Sequence, residues 1–216
     1  MYVKDWMSKD PISLCKDDSV MDAFSKMKEG NFHRIPIVED GKCIGLITGT
    51  TLSEYMPSKA TTLSVFEINS LIQKTKCSDI MIKDVVTIDP DALLEEAADK
   101  MMVSHVTCLP VVDKTTEKLV GIITQKIIFG AFVDLMGYYS SGSRIVVEVP
   151  KDEPGILEKI SGILASNNIN ISHLAVYRNT EISIVVRVDD TDADKVSKLL
   201  TDNGYKVTDS RFHKID

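Results

Sequence analysis

The sequence lacks the segments that direct a chain into a membrane or out of the cell. No apolar run approaches the roughly 20 residues that a bilayer-spanning helix needs. The N-terminus has no basic stretch followed by an apolar one. The four cysteines lie far apart and form no C-x-x-C pair, a pattern typical of reduced thiols rather than of a disulfide scaffold. We therefore expect a cytoplasmic protein with no membrane partner.

Motifs of the common catalytic and metal sites are missing as well. The four histidines stand at no metal-ligand spacing from each other or from the cysteines. The sequence contains no G-x-x-x-x-G-K-[ST] phosphate loop, no G-x-G-x-x-G fingerprint and no G-x-S-x-G nucleophile elbow. It therefore predicts a protein that is not an enzyme and binds no metal.

Positive charge is scarce. The 216 residues include 25 lysines and arginines against 32 acidic residues, which gives a formal charge of −7. Phosphate backbones repel such a chain, so we expect no nucleic-acid partner. The hydrophobic fraction of 44% is typical of a globular protein, here with one large or two small domains.

An internal repeat organises the first two thirds of the chain. Residues 5–7 recur at 79–81, residues 35–38 at 109–112 and, after a two-residue insertion near Thr115, residues 45–48 at 121–124. Each copy predicts the order strand, helix, strand, strand, helix. Asp17 or Asp18 is the expected N-cap of the first helix, and Asp89 is that of its equivalent in the second copy. We expect the two copies to pack together, because neither alone has enough core.

Composition and patterning predict five segments and a mixed α/β (α+β) fold. The first copy should occupy residues 1–56, a connector and helix 57–76, the second copy 77–139, a flexible linker 140–143, and a separate domain 144–216. The last domain has the order βαββαβ, which is a ferredoxin-like pattern. Thr191-x-x-Asp194 predicts a capping box at its second helix.

The duplicated unit resembles the CBS domain, which works as a tandem pair, and the C-terminal unit resembles the ACT domain. The first resemblance rests on Asp5-Trp6-Met7, Asp79-Ile80-Met81, His33-Arg34-Ile35-Pro36-Ile37-Val38, Gly45-Leu46-Ile47-Thr48 and Gly121-Ile122-Ile123-Thr124. The second rests on Asp152-Glu153-Pro154-Gly155-Ile156-Leu157 and Asn168-Ile169-Asn170-Ile171. The arrangement is similar to that of the AcuB-like acetoin-utilisation proteins of Gram-positive bacteria. It implies a non-catalytic, homodimeric regulatory protein whose regulated partner is unknown.

The CBS resemblance implies that an adenine nucleotide, of the AMP or ATP type or cyclic di-AMP, binds between the two copies. The candidate nucleotide-binding residues are Ile12, His33, Arg34, Pro36, Thr48, Thr51, Val86, Thr124 and Lys126. The family pattern Ser/Thr-x-x-Asp, whose Asp holds the ribose hydroxyls, is incomplete because Thr51 and Ile127 stand in place of the Asp. A charged hydrogen bond contributes roughly 1.5–3 kcal/mol, so its loss should weaken binding by one to two orders of magnitude. Cyclic di-AMP, in which one hydroxyl of each ribose is blocked by the phosphodiester, would need that Asp less.

His33 and Arg34 resemble the phosphate contacts of nucleotide-binding CBS pairs. A guanidinium makes two parallel hydrogen bonds to a phosphate. The second copy has Thr107-Cys108 at this place, so only one cleft is basic. The alternative is that Arg34 is a surface residue paired with Glu39 or Asp40. A second hypothesis, supported by the two missing Asp residues, is a scaffold with degenerate clefts that acts only through protein partners.

The ACT resemblance implies either amino-acid binding or dimerisation alone. Gly155 lets a ligand approach the backbone closely, and the helix start after Asp152 offers free N–H groups to a carboxylate. Asn170 would bind the amine of the ligand. The alternative is that Asp152 is only an N-cap and Gly155 only a packing glycine.

Overall fold

The protein was analysed as a computed structural model, which describes residues 1–55, 64–151, 153–178 and 181–214. The chain divides into two compact units, Met1–Ile128 and Phe129–Asp216. No described helix has both the length and the apolar character that crossing a membrane requires.

The described part of the first unit contains two three-stranded sheets and their helices. The strands are β1 (Ser8–Lys9), β2 (Leu14–Cys15), β3 (Arg34–Glu39), β4 (Lys42–Thr48), β5 (Cys108–Val112) and β6 (Leu119–Thr124). The helices are α1 (Val3–Trp6), α2 (Val20–Gly30), α3 (Gly49–Tyr55), α4 (Val65–Lys74), α5 (Cys77–Ile80) and α6 (Leu94–Val103). Helix α7 (Gln125–Leu135) spans the division between the two units, which falls after Ile128. The sequence predicted that the second copy extends to residue 139.

The two copies of the repeat exchange their N-terminal segments. One sheet has the order β2-β3-β4 and the other the order β1-β6-β5. Strand β1 of the first copy therefore pairs with β6 of the second, with Ser8 opposite Ile122. In return, Ile82 of the second copy bridges Leu46 of β4. The expectation that the copies pack together is confirmed, because each completes the sheet of the other.

The N-caps predicted from the sequence for the long helices of the two copies are wrong. Helix α2 begins at Val20 because the Ser19 hydroxyl accepts from the Asp22 N–H at 3.1 Å, and the Asp22 carboxylate accepts from the Ser19 N–H at 3.0 Å. Asp17 and Asp18 lie ahead of this cap. The buried positions are Val20, Ala23 and Met27 in α2, and Leu94, Ala97 and Met101 in α6.

Helix α6 also starts later than predicted. It begins at Leu94, where the Glu96 carboxylate accepts from the Leu93 N–H at 2.7 Å. Asp89 instead turns the chain ahead of the helix by accepting from the Asp91 N–H at 2.8 Å. Helices α2 and α6, which are equivalent in the two copies, therefore both start with a carboxylate that accepts from the backbone N–H three residues earlier.

The second unit has the predicted βαββαβ order, so the ferredoxin-like fold is confirmed. Its elements are β7 (Gly142–Val149), α8 (Ile156–Ser166), β8 (Ile171–Arg178), β9 (Ile182–Val188), α9 (Ala193–Asp202) and β10 (Lys206–His213). The antiparallel sheet has the order β10-β7-β9-β8. Helices α8 and α9 cover one of its faces, with Ile160, Leu164, Val196 and Leu200 packed into the core.

Two local features of this unit differ from what the sequence predicted, and a third lies outside the described residues. Strand β7 begins at Gly142, and Ser143 is fully buried, so the second half of the predicted linker 140–143 is strand. Asp192 caps α9 by accepting from the Lys195 N–H at 3.0 Å, so the capping box predicted at Thr191 is wrong. The hairpin turn predicted at residues 179–180 lies outside the described residues.

Candidate functional site

The first part of the candidate site forms where β3 begins and β4 ends. Arg34, the first residue of β3, is the register partner of Thr48, the last residue of β4. The backbone N–H of Gly49 donates to the carbonyl of His33 at 3.0 Å. The hairpin register therefore brings His33, Arg34 and Thr48 to one end of the sheet.

Thr48 and Thr51 form the turn that starts α3. The Thr51 N–H donates to Thr48 Oγ1 at 3.1 Å, and the two hydroxyl oxygens lie 2.9 Å apart. Thr51 is 8% exposed. A small neutral hydroxyl, already bonded within the chain, thus stands where the family pattern has a carboxylate.

The second copy repeats this turn with different chemistry. Thr124 ends β6 opposite Cys108, and the Gln125 N–H donates to the carbonyl of Thr107 at 3.1 Å. The Ile127 N–H approaches Thr124 Oγ1 at 3.4 Å, but its side chain offers no polar group. Lys126 is exposed in the first turn of α7. The two turns therefore share the same backbone hydrogen bond, but only the second carries a charged side chain, that of Lys126.

Arg34 joins the two halves of the site. Its guanidinium Nη2 donates to Thr107 Oγ1 in the other copy of the repeat. The alternative that Arg34 pairs with Glu39 or Asp40 is wrong, since Glu39 pairs with Lys16 and no carboxylate among the described residues pairs with Arg34. The guanidinium has five N–H donors, so most of its hydrogen-bonding capacity remains available.

Cys108 is the position in the second copy that corresponds to Arg34. It is 3% exposed, and burial raises the pKa of its thiol to about 11 against the opposing effect of the positive charge of Arg34. Cys108 is therefore an uncharged thiol at neutral pH. Of these two equivalent positions, only Arg34 of the first copy carries a charge.

The remaining candidates of this site occupy equivalent apolar positions. Ile12, which is 45% exposed, lies two residues before β2. Val86 lies two residues before Ile88, which bridges Val111 in parallel. Pro36 is buried within β3. Hydrogen bonds and strand registers thus connect five of the candidates: His33, Arg34, Thr48, Thr51 and Thr124. Ile12 and Val86 are not part of these connections and lie in the segments that precede β2 and Ile88. Thr107 also belongs to this site through its bond with Arg34; it was not among the predicted residues, although the repeat aligns it with His33.

The structure describes two of the three residues predicted to bind an amino acid, Gly155 and Asn170. Asp152 lies outside the described residues. The N-cap of α8 is Gly155, with φ +90°. A Cβ on Gly155 would lie 3.8 Å from the nearest atom, Glu158 Oε2, so the positive φ rather than packing favours glycine. Asn170 is exposed, and its backbone N–H donates to Asp189 Oδ1 at 3.2 Å.

The placement of potential metal ligands and the lining of one cavity bear on this arrangement. Among the described residues, no group of three or more His, Cys, Asp or Glu side chains is placed to hold a metal ion. A cavity of about 680 Å³ in the second copy is lined by Asp89, Asp91, Glu96, Asp113 and Glu117 among others. These five carboxylates outnumber the two lysines of the lining, Lys100 and Lys114, which disfavours a phosphate, so the threonine turns around Arg34 remain the candidate site.

Comparison with protein families covers both parts of the chain. The model of the CBS domain family matches residues 3–58 and 77–134, which include every nucleotide candidate. The model of the ACT domain family matches residues 143–204.

Two solved structures resemble the paired repeat. A candidate acetoin utilization protein (AcuB) from Vibrio cholerae is 28% identical, covers 64% of this chain and 95% of its own, and superposes with a TM-score of 0.52. The CBS domain pair of protein MJ0100 is 29% identical, covers 62% of this chain and 97% of its own, and has a TM-score of 0.51. The MJ0100 pair was solved in complex with 5′-methylthioadenosine and S-adenosyl-L-methionine.

A curated relative is an enzyme that is much longer than this chain. Homoserine O-acetyltransferase of Methanohalobium evestigatum is 31% identical over 126 residues, which are 58% of this chain and 23% of the relative. The chain spans less than half the length of the first curated relatives it matches. With both copies of the repeat and the C-terminal domain matched, the chain belongs to the CBS domain family, as a tandem CBS pair followed by an ACT domain.

Proposed function

We propose that the protein is a non-catalytic sensor whose CBS pair binds an adenine nucleotide, with Arg34 holding the phosphate. The observation that carries the proposal is the guanidinium of Arg34, which is joined to Thr107 and to no described carboxylate. A cation with a neutral partner is available to an anionic ligand. The adenosine compounds bound to the MJ0100 pair support an adenine ligand.

Ligand binding at Arg34 would change the connection between the two copies. A phosphate that takes the Nη2 donor competes with Thr107 Oγ1, which belongs to the other copy. The ligand would then favour one arrangement of the copies over another, in proportion to its unequal affinity for them. The new arrangement would present a different face to the regulated partner protein.

The ACT domain completes the proposal as a dimerising or amino-acid-sensing domain. The support is the start of α8, where Gly155 with its positive φ caps the helix through its backbone and leaves N–H groups free for a carboxylate. Sedimentation equilibrium of the full chain should give a homodimer. A monomer at all concentrations, with and without amino acids, would contradict the dimeric part of the proposal.

The decisive experiment is isothermal titration calorimetry of the full chain with AMP, ATP and cyclic di-AMP. Arg34→Ala should weaken the binding of the best ligand at least tenfold, because a charge-assisted contact contributes roughly 1.5–3 kcal/mol. Lys28→Ala is the matched control, since it removes the same charge from the exposed surface of α2 and should leave affinity unchanged. Undiminished binding by Arg34→Ala would remove Arg34 from the site.

The second candidate function is a scaffold with degenerate clefts. It is favoured by Ile127, which leaves the second cleft without a group for the ribose. A stable folded protein that binds none of the three nucleotides would support the scaffold. Nucleotide binding accompanied by turnover would contradict both candidates and indicate an enzyme.

A further inference from the structure

A row of basic residues crosses the sheet of the C-terminal unit. Strand register places Arg211 of β10 opposite Arg144 of β7, Arg144 opposite Arg187 of β9, and Arg187 opposite His173 of β8. Directly opposed residues point to the same face of a sheet, and neighbouring strands lie roughly 4.8 Å apart. We call these four residues the arginine row.

The arginine row lies on the face of the sheet that α8 and α9 leave uncovered. The residues that alternate with Arg144 and Arg187 along their strands, such as Ile145 and Val186, belong to the core beneath the helices. Side chains alternate between faces along a strand, so the row points away from that core. The side chain of Arg211 is 75% exposed and that of Arg144 is 31% exposed.

The charges of the row are not balanced within the unit. Asp209 accepts from Arg144 Nη1 at 2.9 Å and from Arg211 Nε at 2.8 Å. In the described parts of the chain, no carboxylate pairs with Arg187. Burial, and then the charge of Arg144, lower the pKa of Arg187, which nonetheless remains protonated at neutral pH. Three guanidinium groups thus face one carboxylate, and like charges directly opposite each other destabilise a sheet.

The end of the row at β8 is covered, while the end at β10 is open. Gly137, with φ +67°, lies so close that a Cβ on it would be 2.4 Å from His173 Nδ1 and 2.8 Å from Arg187 Cδ. His173 Nδ1 is buried and has no hydrogen-bond partner among the described groups. A ligand would therefore approach from Arg211 and meet Arg144 next, with Arg187 beside the Gly137 turn.

We infer that the arginine row binds a small phosphate-bearing anion on the ACT domain. A guanidinium fork matches two phosphate oxygens, and the tetrahedral group has oxygens for more than one fork. A carboxylate has two oxygens, which a single fork satisfies. The two charges of a phosphate monoester match the two uncompensated arginine charges. The row is separate from Arg34 in the CBS pair, and Gly155 and Asn170 do not belong to it.

The test is an NMR titration of the full chain with inorganic phosphate, in which chloride keeps the ionic strength constant. The row predicts shift changes at the backbone amides of Arg144, Arg187 and Arg211. Arg187→Gln should weaken phosphate binding at least tenfold. Lys206→Gln is the matched control, because Lys206 lies in the same sheet and pairs with Glu148. This control removes the same charge and should retain the affinity of the wild type.

The outcomes separate this site from the nucleotide cleft. Arg34→Ala should keep the full phosphate response of the row, whether or not the cleft binds nucleotides. In phosphate-free buffer Arg187→Gln should melt no lower than the wild type, since it relieves repulsion, and phosphate should raise its Tm less. The inference is overturned by unchanged row amides at millimolar phosphate. It is equally overturned by equal weakening in Lys206→Gln or by an equal response to succinate.

Discussion

At the scale of single residues, the candidate site depends on one charge and one missing charge. Arg34 supplies a cation with a neutral partner in the other copy. Thr51 supplies a hydroxyl where the family pattern has a carboxylate, and it lies in the first turn of α3. The first feature favours an anionic ligand, and the second limits how tightly a ribose is held.

Thr51→Asp should raise the affinity for AMP roughly tenfold by restoring a charged acceptor for the ribose hydroxyls. The start of a helix accommodates a carboxylate well because of its free N–H groups. Thr51→Asn is the control, since it has nearly the same shape without the charge and should gain much less. Calorimetry gives the affinities. Equal affinity of Thr51→Asp and wild type, with both folded, would contradict the placement of the ribose at this turn.

At the scale of secondary structure, hydrogen bonds at helix starts decide where elements begin. Several neighbouring residues in this chain have side chains suited to a cap: Asp17, Asp18 and Ser19 before α2, and Thr191 and Asp192 before α9. The structure selects Ser19 and Asp192. The choice follows from which side chain lies within reach of the N–H three residues later.

Asp192→Ala should destabilise the second unit by about 1 kcal/mol, because the Lys195 N–H loses the acceptor that lies at 3.0 Å. Thr191→Ala, one residue away, should change stability by less than about 0.5 kcal/mol, as exposed substitutions without a cap role do. Urea unfolding monitored by the circular dichroism of both variants measures the difference. A larger effect at Thr191 would restore the capping box predicted from the sequence.

At the scale of the whole molecule, the exchanged N-terminal segments connect the two CBS copies within one compact unit. A Cβ on Gly121 would lie 2.4 Å from Met7 Sδ and 3.0 Å from the carbonyl oxygen of Ser8. A Cβ on Gly45 would likewise lie 2.3 Å from Met81 Sδ. Each glycine therefore leaves room for a methionine from the other copy.

Gly121→Ala should lower the Tm of the CBS pair, because the new methyl group displaces Met7 and strains the pairing of β1 with β6. An overpacked site of this kind costs roughly 1–3 kcal/mol. Gly49→Ala is the control in the same unit, since the nearest atom to its Cβ is 4.0 Å away. Differential scanning calorimetry should show a shift for Gly121→Ala alone. Equal melting of the two variants would mean that the exchanged segment adds little stability.

The sequence by itself determined the duplication and the order of elements. These follow from periodicity and from local spacing, which do not depend on distant parts of the chain. The resemblance to the CBS domain placed His33, Arg34, Thr48 and Thr51 in one candidate site, and the structure brings them together through the register of β3 with β4 and the turn after β4.

Only the tertiary structure decided the partners of these residues. The bond from Arg34 to Thr107 joins residues 73 positions apart, and the arginine row joins four strands whose register no single segment encodes. The exchange of β1 and Ile82 between the copies likewise arises from long-range strand pairing. Such contacts form where the whole chain packs most favourably, so a sequence pattern restricts them but does not select among them.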